Sequence, residues 1–232
     1  MKVPVAVVLG MAFFSGICAA AEKPEVKGQK DKISYSVGYQ VGGDFKKQGV
    51  ELNPEMLVKG AQDALSGAKP LVSPQEMNKT LVDLKRKIVA EDKAKQAKIA
   101  EKNLNEGKAF QERNAKAEGV VTLPSGLQYK VLKEGTGTSP KANDNVTVHY
   151  RGTLIDGTEF DSSYKRNKPA TLKVNRVLPG WQQALLLMKA GSKWQLVVPA
   201  NLAYGARGAG PRIGPNSTLV FDFELISVQP AP

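Results

Sequence analysis

Cysteine and histidine are almost absent from this sequence of 232 residues, which holds one of each, Cys18 and His149. A single cysteine cannot form an internal disulfide or a zinc cluster, and a single histidine cannot build a multi-histidine metal site. Hydrophobic residues make up 41% of the chain and charged residues 24%, which is ordinary for a protein with a packed core. The composition therefore excludes disulfide scaffolds, collagen-like chains and polytopic membrane proteins.

Motifs of nucleophilic and phosphate chemistry are also missing. No G-x-S-x-G elbow is present to carry a nucleophile. The glycine-rich run GARGAG at 205–210 lacks the G-x-x-x-x-G-K-[ST] pattern that cradles phosphate. His149 stands within a strand-like stretch beside Tyr150, where a lone histidine is more often structural than catalytic. We therefore expect neither a metal nor a cofactor.

Positive charge is in surplus, with 33 basic and 22 acidic residues and a net charge of +11. Residues 22–120 hold 19 basic and 15 acidic residues, and residues 121–232 hold 13 and 7, so the surplus is spread over both halves. The lysine-rich stretch shows no interleaved aromatic residues and no nucleic-acid-binding motif. We interpret it as a solvated helix face, expect no nucleic-acid partner, and expect attraction to acidic clients or anionic surfaces.

Residues 1–21 have the pattern of a secretory signal peptide. Lys2 is followed by an almost unbroken apolar run and by small residues ending in three alanines at 19–21. A transmembrane anchor is one alternative, but the run is about 12 residues and a span needs about 20. Lipidation of Cys18 is another, although Ile17 stands where bacterial lipoprotein signals carry a small residue. We predict cleavage, with no transmembrane span in the mature chain.

Two short helices are predicted in the region 22–72. Ile33, Val37 and Val41 recur every four residues within 31–45, which indicates an amphipathic helix. Asn53-Pro54 has the form of a cap followed by proline at the first helical position, and Ser66-Gly67 closes that second helix.

A third helix is predicted to be much longer. No proline follows Pro74 until after Glu118, and Gly107 is the only glycine in that stretch. The region 73–118 therefore indicates one helix of about 44 residues, about 66 Å long. We expect its first half to need a partner and its second half to be a solvated spacer. Its first half carries apolar residues with the spacing of a short heptad seam, namely Met77, Leu81, Leu84 and Ile88.

The texture changes after Val121, where glycine and proline become frequent and both tryptophans occur. Pro179-Gly180-Trp181 begins a short helix, and Trp181, Leu185 and Met188 recur at helical spacing. The predicted fold class is α+β, with an antiparallel sheet packed on one short helix. Four stretches have the alternation or β-branched content of strands: 127–131, 146–150, 194–198 and 219–228.

Three motifs in this half closely resemble FK506-binding-protein (FKBP)-type peptidyl-prolyl cis-trans isomerases. They are VHYRGTLIDGTEFDSSYKRNKPA, VLPGWQQALLLMKAGSKWQLVVPANLAYG and IGPNSTLVFDFELISV. The helical half, through DKISYSVGYQVG, NPEMLVKGAQDALSG and LPSGLQYKVL, is similar to the dimerisation domain and linker helix of macrophage infectivity potentiator-like members. The resemblance implies a signal peptide at 1–21, a helical dimerisation domain at 22–72, a linker helix at 73–118 and an isomerase domain at 120–232.

The resemblance also implies which residues form the active site. Trp181 would be the floor against the prolyl ring, while the Leu178 backbone N–H and the Tyr204 hydroxyl would hold substrate carbonyls. Asp161 would be a polar contact at the pocket edge, oriented by Tyr150. Catalytic roles fall on Phe160, Asp161, Trp181 and Tyr204. The implied substrate-binding residues are Tyr150, Phe160, Asp161, Val177, Leu178, Trp181, Tyr204, Ile213 and Phe221.

A pocket of this kind fits the shortage of catalytic groups. Rotation about an X–Pro bond must cross a barrier of about 18–20 kcal/mol set by amide resonance. A dry aromatic pocket favours the twisted, less polar transition state because it withholds the water that stabilises the planar amide. Spacing alone, however, favours an ordinary core role for Val177, Trp181 and Phe221. Asp161 with the two serines after it is likewise consistent with a turn.

Two departures from the family pattern affect the expected specificity. Leu172 stands in the strand after Lys168-Pro169, where many members carry an aromatic residue. The flap at 206–212 contains Arg207 and Arg212 and lacks the histidine or large apolar residue of some members. We therefore expect one weaker wall and a preference for acidic residues beside the proline.

Two functions follow from the resemblance. The first is a dimeric prolyl isomerase that assists the folding of exported proline-containing polypeptides and is inhibited by FK506-type macrolides. The alternative is a non-catalytic chaperone or surface interaction protein whose C-terminal domain only binds peptides, and it is motivated by the long helix, which could hold the two pockets of a dimer apart as a client cleft. Either would be exported to the periplasm, or associated with the outer membrane, of a Gram-negative bacterium.

Overall fold

The structure, a computed structural model, describes residues 25–231, so the predicted signal peptide lies outside the described residues. The chain forms two compact units, one ending at Met77 and one beginning at Asn78. The helices are α1 Gln29–Lys47, α2 Pro54–Ser66, α3 Pro74–Asn114 and α4 Pro179–Leu187. The strands are β1 Val120–Thr122, β2 Gln128–Lys133, β3 Asn145–Leu154, β4 Glu159–Ser162, β5 Ala170–Lys173, β6 Lys193–Val198 and β7 Leu219–Gln229.

Helices α1 and α2 make up most of the described part of the first unit. The predicted start of α2 is confirmed, because the Asn53 side chain accepts hydrogen bonds from the backbone N–H groups of Glu55 at 2.9 Å and Met56 at 3.2 Å. Gly67 ends the helix with φ of 69°, a left-handed conformation that glycine adopts without steric cost. Neither helix contains a buried residue. Most of their apolar side chains are therefore open to solvent within a single chain, whereas Val41 and Phe45 are partly buried.

Helix α3 spans 41 residues, close to the predicted length. The expectation that its second half is a solvated spacer was wrong for residues 99–114, whereas residues 91–98 are exposed as expected. Gly107 is buried against Thr218, and three polar side chains hydrogen-bond to the sheet domain, namely Asn103, Gln111 and Asn114. The sequence did not indicate this contact, because asparagine and glutamine are usually exposed on a helix and their hydrogen-bond partners here lie far along the chain.

The second unit contains a seven-stranded antiparallel sheet in the order β1-β2-β6-β7-β3-β4, with β5 paired to β3. The predicted α+β fold and the four predicted strands are confirmed. Helix α4 packs on the sheet through Trp181, Ala184 and Leu185, all of which are buried. Strands β1, β4 and β5 were not predicted, because three or four residues are too few to show a period of two.

Strand β7 runs through the centre of this sheet and contributes four residues to its core. Leu219, Phe221, Phe223 and Leu225 alternate inward, as the period of two predicts, and all are buried. Within residues 25–231, no helix is both long and apolar enough to cross a bilayer.

Candidate active site

A cavity of about 290 Å³ opens between β3, β4, β5, α4 and β7. Eight of the nine residues predicted to bind substrate line it. The exception is Ile213, which follows the 206–212 flap, is buried, and does not line the cavity. Two further residues, Leu172 and Arg176, complete the wall. The eight are Tyr150, Phe160, Asp161, Val177, Leu178, Trp181, Tyr204 and Phe221.

Aromatic rings meet edge to face around Trp181, which is 8% exposed. Its ring centroid lies 4.9 Å from that of Tyr150, 5.0 Å from Phe221 and 4.7 Å from Phe223, with interplanar angles of 61° to 83°. Phe160 and Phe221 are nearly perpendicular at 5.7 Å. Such pairs add about 0.5–1.5 kcal/mol beyond the area they bury, so they stabilise the apolar wall.

A glycine allows two of these rings to meet. At Gly152 in β3, a Cβ atom would lie 2.6 Å from the Phe160 ring and 2.8 Å from the Phe221 ring. Any other residue at this position would force both rings out of place. The packing of the two rings therefore explains why position 152 is a glycine.

Polar groups converge on Asp161 at the edge of the cavity. The Tyr150 hydroxyl donates to Asp161 Oδ2 at 2.6 Å and accepts from Arg166 Nη2 at 2.8 Å, while Arg166 Nη1 pairs with Asp161 Oδ1. The backbone N–H of Ser162 also donates to Asp161 at 2.8 Å. The orientation of Asp161 by Tyr150 is thus present, and Arg166 is a third member that the sequence analysis missed. Its only signal was its place five residues after Asp161, across a turn.

This network fixes the charge of the site. Burial acts to raise the pKa of Asp161, but the hydrogen bonds from Tyr150 and Arg166 and the charge of Arg166 outweigh it, so the pKa lies below the usual value. Burial, followed by the hydrogen bond to Asp161, raises the pKa of Tyr150. Burial and the charge of Asp161 raise the pKa of Tyr204. Asp161 is therefore ionised and both phenols are neutral near pH 7.

The flap meets the cavity rim through Arg212, whose Nη1 donates to the carbonyl oxygen of Phe160 at 3.1 Å. Arg176 lines the cavity from the short 3₁₀ turn before α4. Leu172 forms part of the wall from β5, so the aliphatic substitution noted in the sequence does fall in the cavity.

His149 does not line the cavity. Its Nδ1 lies 2.9 Å from Ser163 Oγ, and its ring stacks on Tyr164 with centroids 4.6 Å apart. Ser163 in turn hydrogen-bonds to the backbone of Tyr150. The structural interpretation of the single histidine agrees with these contacts.

The sheet, the single helix packed on it and the aromatic cavity define a class: a domain that holds an apolar ring beside a small set of polar anchors. The family model described as FKBP-type peptidyl-prolyl cis-trans isomerase matches residues 136–226. The model of the domain amino-terminal to such isomerases matches residues 30–131. The chain belongs to the FKBP-type peptidyl-prolyl cis-trans isomerase family, as its sequence motifs predicted.

Relatives are similar over nearly the whole length. The outer membrane protein MIP of Legionella longbeachae is 47% identical, over 100% of this chain and 99% of the relative. The peptidyl-prolyl cis-trans isomerase Mip of Coxiella burnetii is 42% identical, over 95% of this chain and 96% of the relative. The crystal structure of FkpA from Escherichia coli superimposes with a TM-score of 0.70 at 41% identity, covering 90% of this chain and 100% of that one.

Proposed function

We propose that the protein accelerates cis–trans rotation about X–Pro bonds in unfolded, exported polypeptides. The observation that carries this proposal is the buried aromatic wall around Trp181 beside an ionised, anchored Asp161. The wall binds the prolyl ring and excludes water from the imide. Loss of water destabilises the planar, more polar ground state more than it destabilises the twisted transition state. The barrier to rotation therefore falls.

The polar groups at the rim position the peptide. In this proposal the Tyr204 hydroxyl and the Leu178 N–H bind substrate carbonyls on either side of the proline. Asp161 lies close to the rotating imide and stays ionised because Arg166 and Tyr150 hold it. No proton has to move and no covalent intermediate forms, because rotation alone is the reaction.

Charge around the cavity favours acidic residues beside the proline. Asp161 is paired with Arg166, which leaves Arg176 in the wall and Arg212 at the rim as positive groups facing the peptide. Arg207 is exposed in the same flap. An ion pair between one of these arginines and a carboxylate side chain of the substrate would be open to solvent. Its effect on specificity is therefore modest and sensitive to salt.

Self-association through the first unit is also part of the proposal. Helix α2 and the segment after it form an apolar groove of about 310 Å³ that includes Met56, Ala64, Leu71 and Met77. Helix α1 exposes Val37 and Tyr39. A second copy of the chain would cover these surfaces, which matches the predicted dimerisation domain at 22–72 and leaves 120–232 to the isomerase.

The proposal includes export to the periplasm or the outer membrane, which the name of one relative, outer membrane protein MIP, supports. Inhibition by FK506-type macrolides belongs to the same proposal. A second candidate function is peptide binding without catalysis, as a chaperone. The exposed apolar residues of α1 favour it, because such surfaces also bind unfolded clients. A Phe221→Ala variant that loses isomerase activity but still suppresses aggregation of a client without proline-limited folding would support this second function.

The two tryptophans allow a matched test of the isomerase. Trp181 lines the cavity, whereas Trp194 is buried against Tyr129 on another part of the sheet. We expect Trp181→Phe to lower kcat/KM on a proline tetrapeptide about fivefold, and Trp194→Phe to change it less than about twofold. Equal losses in both variants, or a wild-type protein that does not accelerate isomerisation at micromolar concentration, would refute the proposal. Refolding of a protein limited by X–Pro isomerisation provides a second readout.

A further inference from the structure

Residues 100–107 of helix α3 contact one segment of the isomerase domain, residues 214–218. Asn103 Nδ2 donates to the carbonyl oxygen of Pro215 at 2.8 Å and to Ser217 Oγ at 3.3 Å. Asn216 Nδ2 donates to the Ala100 carbonyl at 3.4 Å. The contact is close, because a Cβ atom on Gly107 would lie 2.4 Å from Thr218 Oγ1.

The same segment holds the turn that follows Tyr204. The backbone N–H of Asn216 donates to the carbonyl oxygen of Gly205 at 2.9 Å. Gly208 lies so near residues 213 and 214 that a Cβ atom would meet the Ile213 carbonyl oxygen at 2.1 Å. The flap is closed by paired hydrogen bonds between Ala209 and Ile213, at 2.8 and 3.2 Å. Helix α3, segment 214–218 and the base of the flap are therefore in continuous contact.

We propose that Asn103 is a positioning residue for the isomerase reaction. It does not reach the cavity. It fixes segment 214–218, which fixes Gly205 and, through it, the backbone of Tyr204 at the cavity wall. The inference rests on the proposed function, since it concerns the placement of a hydroxyl that binds substrate there.

A second set of contacts shows that attachment of the helix does not by itself require Asn103. Gln111 Nε2 donates to the Gly126 carbonyl at 3.1 Å, and Asn114 Nδ2 donates to Gln128 Oε1 at 2.8 Å. These contacts reach the start of β2 and the turn before it, and none of those residues lines the cavity. Asn103 and Asn114 are both half-buried asparagines on one helix, so they form a matched pair.

The test compares Asn103→Ala with Asn114→Ala in the full-length protein. Asn103→Ala removes the two helix-to-domain hydrogen bonds that Asn103 donates and Asn114→Ala removes one, so we expect the decrease in Tm to be at least as large for Asn103→Ala. Only Asn103→Ala should lower kcat/KM on a proline tetrapeptide, by about fivefold, because only this loss of hydrogen bonding is transmitted to the site. It alone should shift the NMR signals of the Tyr204 ring and speed amide exchange at Asn216, whose N–H donates to the Gly205 carbonyl. Equal kinetics in the two variants, or an unchanged Tyr204 signal, would overturn the proposal.

A second pair decides the matter if Asn103→Ala does not fold. Gly107→Ala pushes α3 away from Thr218 and should reproduce the loss of kcat/KM and the Tyr204 shift. Adding Thr218→Ala removes the clashing Oγ1, leaving Thr218 Cβ at 3.2 Å, and should restore most of the activity. Absence of rescue would contradict the positioning role. Failure of the proposed function is distinguishable, because the wild-type protein would then be inactive in the same assay.

Discussion

The two units of this chain differ in how far they bury their apolar residues. In the second unit, Leu196 and Phe223 are fully buried in the sheet core. In the first unit, Tyr39 is 74% exposed and Leu65 is 90% exposed, and α1 and α2 bury nothing. Both units have amphipathic patterns, yet only one closes a core within a single chain. An amphipathic pattern in the sequence therefore predicts that one face of an element is apolar. It does not predict whether that face packs against the same chain.

The largest expected effect comes from removing leucine side chains in the two units. Leu196→Ala should lower the free energy of unfolding of the second unit by about 2–5 kcal/mol, because it leaves a cavity opposite Phe221. Leu65→Ala should change stability by less than about 0.5 kcal/mol. Urea denaturation followed by tryptophan fluorescence measures the second unit, which holds both tryptophans, and circular dichroism of the helical signal measures the first unit. Similar losses would mean that the first unit buries Leu65 after all.

The next effect concerns self-association. Val37→Asp places a charge on the apolar stripe of α1, and we expect the dimer dissociation constant to rise at least about tenfold, because a buried charge without a partner is costly. Ser36→Asp adds the same charge beside the stripe and serves as the control. Sedimentation at several protein concentrations distinguishes the two variants. A wild-type protein that is monomeric at tens of micromolar would contradict the dimer.

A smaller effect is expected for substrate selection. Arg176→Gln should lower the preference for glutamate over leucine before proline by about threefold, in line with one exposed ion pair. Lys189→Gln, which removes an exposed charge away from the cavity, should leave the preference unchanged. The ratio of kcat/KM values on the two peptides is the readout, and added salt should reduce it. If the preference for glutamate persists in the Arg176 variant, residues other than Arg176 cause it.

The smallest effect is that of pH. Asp161 has a lowered pKa in the folded protein, so its stabilising contacts are complete above the unfolded pKa of about 3.9 and are lost as pH falls through the folded value. Tyr150 and Tyr204 have raised pKa values and stay neutral until strongly alkaline pH. We expect kcat/KM to vary less than about twofold between about pH 5.5 and 9. A bell-shaped profile within that range would indicate proton transfer in the reaction.

Local signals predicted much of this structure. Asn53-Pro54 and Ser66-Gly67 placed both ends of α2, and alternation along 219–228 placed β7. The gathering of distant residues such as Tyr150, Trp181 and Phe221 was implied only by resemblance to a family, since their spacing is consistent with a plain core. Their role in binding substrate stays a prediction.

Long-range polar contacts could not be predicted. Asn103 donates to a carbonyl 112 residues away, and Arg166 returns across a turn to Asp161 and Tyr150. Neither contact produces a periodic pattern in the sequence, because a single hydrogen bond requires only one suitable residue at one position. The docking of α3 was missed for this reason, although the isolated Gly107 in a long helix was visible in the sequence.

The central claim is that catalysis belongs to the second unit, with the end of α3 as a working part of it. The most direct measurement is kcat/KM on a proline tetrapeptide for the full chain, residues 78–232 and residues 120–232. We predict that 78–232 equals the full chain within about twofold and that 120–232, which lacks the α3 contact, is about fivefold lower. A fragment 78–232 as weak as 120–232, or a fragment 120–232 as active as the full chain, would contradict the account.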